Sequence, residues 1–253
     1  MKNNIHSSLI TRSKLNNAPQ SDSTPQQHYL DAVKAFARLT YESIYVINYE
    51  DMSFDYVSDN PLFLCGYTAN EVLEMGYDFY FNNVPEADLK LLTLINTAGF
   101  NFYDKLAAEE RQQYSITYDF HLVNKDGSRV LVNHKLTPLF LTPDVKIWKA
   151  ICIVSIAHRK TAGNAFIYKQ GDNTSWQLDM ETGVWCKNTK PTLSPREIEI
   201  LRLYAQGLTI NQIAKKIFVA PDTVKYHRRH IFEELNVKNM TEALSYAVSS
   251  RII

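Results

Sequence analysis

The chain has 253 residues, enough for about two domains, and its 45% hydrophobic content can fill real cores. Its formal net charge of zero hides a split: from Lys190 onward ten Lys and Arg stand against six Asp and Glu, and before it 17 stand against 21. That pairs a basic C-terminal part with an acidic remainder. No apolar run reaches a membrane span, the first residues lack a signal-peptide core, and Cys65, Cys152 and Cys186 have no pairing or metal spacing. A reduced, cytoplasmic protein is expected.

Residues 1–27 are rich in Asn, Ser, Gln and Thr and read as a flexible tail. Helical spacing follows in QQHYLDAVKAFARLT, with Tyr29 or Leu30, Val33, and Phe36 or Ala37 on one side. SIYVINYED and FDYVSDN read as strands from their β-branched and aromatic content. Short helical pieces are expected in PLFLCGYTANEVLEM and a longer helix in PEADLKLLTLINTAGFNFYDKLA. The period then becomes two: Ile116, Tyr118, Phe120 and Leu122 alternate with polar residues, as do Val130, Val132 and Leu136 across a Lys125-Asp126-Gly127 turn. VKIWKAICIVSIA is a further strand.

Two strands, several helices and three antiparallel strands are the order of a PAS domain. YVSDNPLFLCGYTANEVL and HLVNKDGSRVLVNHKLTPLF resemble that family's early and late signatures. The resemblance implies a domain over residues 28–160, leading helix included, with a small cavity between sheet and helices. A small-molecule ligand there and a packed core that only dimerises are both open. No cofactor is expected. Covalent flavin chemistry needs a reactive Cys in an Asn-Cys-Arg-Phe-Leu-Gln run, and Cys65 in Phe-Leu-Cys-Gly-Tyr is not that. Haem would need an inward axial His. His134 is in phase with the apolar face and His121 is not, and a single His there is ordinarily a core side chain. Residues 161–189 hold three short strand-like pieces, AFIYKQ, SWQLDM and GVWCKN, which either extend the sheet or form a linking hairpin anchored by Trp176 and Trp185, with residues 187–190 as hinge.

The last segment, 190–253, carries the strongest local signals. Ser194 caps a helix with Pro195 first and Glu197 third, Leu193 and Ile198 can staple it, and Gly207 ends it. Thr209 and Gln212 repeat the capping box, with Leu208 and Ile213 as staple. Pro221 starts a third helix after the apolar turn Phe218-Val219-Ala220. At about 100° per residue, Asp222, Lys225, Tyr226 and Arg229 share one side, and Val224, Ile231 and Leu235 the other. Five Lys and Arg against one acid lie between Lys215 and Arg229. Asn239 and Glu242 open a fourth helix with Ala243, Leu244, Ala247 and Val248 along one side.

This segment is similar to the LuxR-type (GerE-like) helix-turn-helix: Pro195-Arg196-Glu197, Thr223-Val224-Lys225, His227, Leu235 to Val237 and Asn239 fall on the family's pattern. The fold class expected is α+β, a PAS-like antiparallel sheet with helices followed by an all-α four-helix domain. The resemblance implies double-stranded DNA as partner, with Lys225, Tyr226 and Arg229 at base edges and Thr209, Lys216, Thr223, His227 and Arg228 at the backbone or its fringe. It further implies RNA polymerase as a partner and a homodimer through Ala243, Leu244, Ala247 and Val248. Ala220 departs from the pattern, standing where the family has a Ser or Thr cap, at a cost of about 1 kcal/mol. His227 lies near the buried side, where packing is as good a role as DNA contact.

A one-component regulator is the leading reading. A phosphorylated response regulator is the alternative suggested by Glu50-Asp51, but a receiver needs alternating strands and helices around a parallel sheet, and no late Lys can be placed. A sigma-like promoter factor would need long helical polymerase-binding segments. An enzyme is not expected, since no carboxylate pair, triad, phosphate loop or metal cluster stands out.

Overall fold

The computed structural model describes residues 25–172, 174–189, 191–250 and 252–253. It divides into two units at Leu39. In the first, helix α1 spans Pro25–Leu39, so the helix begins before the expected end of the tail. Residues 1–24 of that tail lie outside the described residues.

The second unit opens with β1 (Ser43–Asn48) and β2 (Ser53–Val57). Four helices follow: α2 (Pro61–Leu64), α3 (Ala69–Met75), α4 (Asp78–Asn83) and α5 (Glu86–Asp104). Thr68 and Glu71 close a capping box on α3. After a 3-10 turn at Ala108–Gln113 come β3 (Tyr114–Val123), β4 (Arg129–Leu141) and β5 (Ile147–Ile156). The β3–β4 hairpin turns at Gly127, whose φ of +82° suits glycine. Asp126 Oδ1 accepts the Ser128 amide at 2.9 Å there.

Then β6 (Gly163–Lys169), β7 (Thr174–Leu178) and β8 (Trp185–Thr189) continue the same sheet. The strand order is β2-β1-β5-β4-β3-β6-β7-β8, and every neighbouring pair is antiparallel. The first five strands, with helices inserted between β2 and β3, have the order that the PAS resemblance implies. Of the two alternatives for residues 161–189, sheet extension is the one observed: Ala165, Ile167 and Leu178 lie in the same core as β3 and β4. Trp176 and Trp185 pack on that core, and Trp185 Nε1 donates to the Ala98 carbonyl of α5 at 2.9 Å. Residues 187–189, expected in a hinge, are in β8, where pairing with β7 fixes them; Lys190 lies outside the described residues.

A separate aliphatic core holds four helices: α6 (Pro195–Ala205), α7 (Ile210–Lys216), α8 (Pro221–Leu235) and α9 (Met240–Ser249). Ile200, Leu201, Ile213, Val224 and Ile231 are its fully buried centre.

Candidate nucleic-acid interface

Three local devices set the position of α8. Ser194 and Thr209 close reciprocal capping boxes with Glu197 and Gln212. Gly207, at φ +81°, ends α6 in a Schellman arrangement, its amide reaching the Tyr204 carbonyl at 2.9 Å and the Leu208 amide the Leu203 carbonyl at 3.2 Å. A second such turn ends α7, with the Val219 amide 3.0 Å from the Ala214 carbonyl and Phe218 taking the left-handed position at φ +56°. Phe218 is almost fully exposed, so its ring adds nothing to that core.

The Pro195-Arg196-Glu197 run is a set of fasteners. Pro195 pre-sets the first turn of α6. Arg196 donates to the Ile217 carbonyl at 2.7 Å, tying α6 to the end of α7, and pairs with Glu199. Glu197 is buried, accepts the Ser194 amide at 2.8 Å, and has His230 Nδ1 of α8 2.7 Å from its other oxygen, off the ideal hydrogen-bond direction. Despite the opposing effect of burial, the Ser194 and His230 contacts hold the Glu197 carboxyl below its usual range. One carboxylate thus caps α6 and grips α8.

On α8, Val224, Ile231 and Leu235 are buried, as the periodicity predicts, while Asp222, Lys225, Tyr226 and Arg229 form an open stripe. The cations are only loosely paired: Lys225 with Asp222 at 2.9 Å, one turn back, and Arg229 with Glu233 at 3.8 Å. Exposed pairs of this spacing contribute about 0.3–0.5 kcal/mol, so both are available to a stronger acceptor. Thr223 and Lys216 are exposed beside the stripe. Ala220 makes no side-chain cap, leaving the start of α8 without the bond its neighbours have.

The remaining residues expected at the DNA have partners within the domain. Thr209 spends its hydroxyl on the cap of α7. His227 is half-buried, with Nδ1 3.7 Å from Glu197 and its ring edge-on to Tyr226. Arg228 is half-buried with its guanidinium 6.0 Å from the Phe232 ring. On α9, Ala243 and Ala247, two of the four residues expected at a dimer face, are fully buried in the helical core, where small side chains let α9 approach its own domain. Leu244 is half-buried and Val248 is 63% exposed.

The sheet domain holds a second candidate site. Tyr45 OH shares a 2.5 Å hydrogen bond with His134 Nε2 and a short one with Tyr80 OH. His134 points inward as expected. Burial pushes its imidazole down to about 3 and the Cys152 thiol up to about 12, so both are neutral. These groups line a cavity of about 10 Å³ together with Tyr49, Tyr77, Asn96 and Tyr118, room for about one water. His121 faces away and pairs with Asp88 at 2.9 Å. Glu50 and Asp51 sit at the β1–β2 turn, Glu50 accepting from Trp148 at 3.1 Å and Asp51 from the Ser53 amide at 3.0 Å. Among the described residues no group of three or more His, Cys, Asp and Glu is arranged to hold a metal ion, and no helix is long and apolar enough to cross a membrane.

Residues 191–247 match the family model described as bacterial regulatory proteins, luxR family. Oxygen regulatory protein NreC of Staphylococcus carnosus is 43% identical over 61 residues, 24% of this chain and 28% of NreC, so the chain spans little more than a quarter of that relative's length. The Vibrio cholerae VqmA dimer, a LuxR-type receptor, aligns over 87% of both chains at 16% identity and a TM-score of 0.31. A PAS domain from Colwellia psychrerythraea aligns over 51% of this chain and 97% of its own at 14% identity and a TM-score of 0.37. With both scores below 0.5, the sheet's assignment rests on its strand order. The C-terminal domain of this chain is therefore a LuxR-type helix-turn-helix of the bacterial regulatory proteins, carried behind a PAS-like sheet.

Proposed function

We propose that the chain is a one-component transcription regulator that reads double-stranded DNA with α8 and takes its input through the sheet domain. The carrying observation is the open stripe of Lys225, Tyr226 and Arg229 on a helix whose opposite side is fixed in an aliphatic core. A recognition helix enters the major groove with its N-terminal part, where Lys and Arg donate to guanine O6 and N7 or to phosphate. Lys216 and Thr223 flank the stripe and contact the backbone. Thr209, His227 and Arg228 serve mainly to hold the frame.

A second copy meets the chain through Leu244 and Val248, giving a dimer on a two-fold site. The phenol-lined cavity around His134 receives a small neutral ligand once its side chains part, since as it stands it holds no more than a water. RNA polymerase is the downstream partner, the setting is the cytoplasm, and the protein binds rather than catalyses. The antiparallel sheet supports this reading over a phosphorylated receiver, and Asp51 is engaged as a turn residue.

The test is binding of the full chain to genomic fragments that it selects itself. Lys225→Ala with Arg229→Ala should remove about 1–3 kcal/mol per lost base contact, with helical circular dichroism unchanged. Retention of full specific affinity in the double variant would overturn the proposal.

A further inference from the structure

Helix α9 carries three stripes. Ala243 and Ala247 face the core, and at about 100° per residue Leu244 with Val248 lies to one side and Glu242 with Tyr246 to the other. In the third stripe Tyr246 meets the sheet domain. His158, just beyond β5, stands edge-on to Tyr246, with ring centroids 6.0 Å apart at 90°. Its Nε2 is buried and has no hydrogen-bond partner among the described residues. The Glu242 carboxyl is held below its usual range first by the Lys238 amide, and the Lys160 ammonium of the same sheet-domain loop adds to it.

That loop is anchored from beneath. Asn164, in the left-handed region at φ +49°, donates from one amide nitrogen to the Thr161 carbonyl at 2.7 Å and to Asp119 Oδ2 at 3.1 Å. Asp119 is fully buried on β3 and accepts from Asn133 Nδ2 at 2.7 Å. Arg159 lies over the Phe166 ring at 4.5 Å. Asn133 is the chain neighbour of His134, and strand alternation puts the two on opposite faces of β4. One strand therefore touches the cavity on one side and the foundation of the loop on the other.

We infer that the loop at 157–162 couples the two cores: its His158 ring grips α9 at Tyr246 and sets the position of the helix-turn-helix, while the Leu244–Val248 flank points elsewhere on the helix. The partner surface on the sheet domain is the His158 ring, matched to the ring of Tyr246. What this grip does to DNA reading rests on the function proposed above; the grip itself does not.

Amide hydrogen exchange on the full chain tests it. Tyr246→Ala and, from the other side of the contact, His158→Ala should each speed exchange at 157–162 by about two- to tenfold, the range of one aromatic contact, and leave α8 protected as before. Unchanged exchange at 157–162 in both variants overturns the inference. Should Tyr246→Ala also loosen α8, the decision falls to His158→Ala, where faster loop exchange supports the grip and unchanged exchange refutes it. DNA affinity measured on the same samples separates the two proposals: a grip confirmed in a chain that selects no DNA fragment leaves the coupling standing and removes the DNA reading.

Discussion

The helical core of residues 191–253 is aliphatic at its centre, with Ile200, Leu201, Ile213, Val224 and Ile231 fully buried and the capping polar groups at helix ends. The sheet domain instead stacks rings on rings: Tyr45 lies 4.4 Å from Phe63 in parallel, and Phe63 and Tyr80 meet Phe54 edge-on. It also takes polar groups inside, where the Tyr45 hydroxyl shares one bond with the Tyr80 hydroxyl and another with His134 Nε2. An aliphatic centre carries no titrating group of its own and suits a part that presents one fixed face. A core with a buried hydrogen-bonded cluster loses stability whenever a member loses its partner, so it responds to whatever competes for those groups. The contrast assigns rigidity to the helical core and responsiveness to the sheet core.

All three tryptophans, Trp148, Trp176 and Trp185, lie in the sheet domain, so their fluorescence follows that core alone, while amide hydrogen exchange at α6–α9 in rising urea follows the helical core. The contrast breaks most sharply with Ile231→Ala. Removing this fully buried side chain should cost about 2–5 kcal/mol and move the helical transition in urea, leaving the tryptophan midpoint in place. A common shift of both probes would mean that the two cores unfold as one.

Tyr45→Phe is the corresponding lesion in the other core. It strips His134 Nε2 and Tyr80 OH of a shared partner, and should lower the tryptophan midpoint by about 1–3 kcal/mol without moving the helical one.

Acid sharpens the same comparison. His134 is held down to about 3 and His158 to about 4, chiefly by burial, against 6.5 when free. Between those values the unfolded chain binds more protons than the folded one. The stability these residues contribute is therefore present above about pH 6.5 and lost on acidification toward pH 3. Asp119, raised by its burial, works in the opposite direction over the carboxylate range. The tryptophan midpoint should fall between pH 7 and pH 5 more than the helical midpoint does, measured by urea melts at each pH.

The smallest effect is a gain. Ala220→Ser supplies the missing cap of α8 and should raise the helical midpoint by about 1 kcal/mol, read by amide exchange at α8.

The two cores also differ in how far the sequence reveals them. Ser194, Gly207, Thr209 and Pro221 act on backbone groups one turn away, so the boundaries of α6, α7 and α8 follow from the residues at their ends. The alternation of Ile116, Tyr118, Phe120 and Leu122 likewise marks the inward face of β3, and all four are buried. Helix α4 carries no such signal: its N-cap Tyr77 makes no side-chain cap bond, and Phe79 and Tyr80 are buried by the sheet above them. The placement of β6 beside β3 was equally hidden, because strand order depends on pairing between distant segments. In the candidate interface the open stripe of Lys225, Tyr226 and Arg229 was legible from angle alone. The burial of Ala243 and Ala247 was not, since a small-residue stripe fits its own domain and a second copy equally well. The roles of Arg196 and Glu197 as ties to Ile217 and His230 needed the fold to bring α7 and α8 alongside α6.

The central claim is that the fixed face of α8 reads base sequence. Genome-wide mapping of sites bound in cells by the wild-type chain, and by the Lys225→Ala, Arg229→Ala double variant at equal abundance, tests it most directly. The account predicts a short two-fold symmetric motif under the wild-type sites and loss of that enrichment in the variant. Wild-type sites without a shared motif, or a motif that the variant retains at full occupancy, would contradict it.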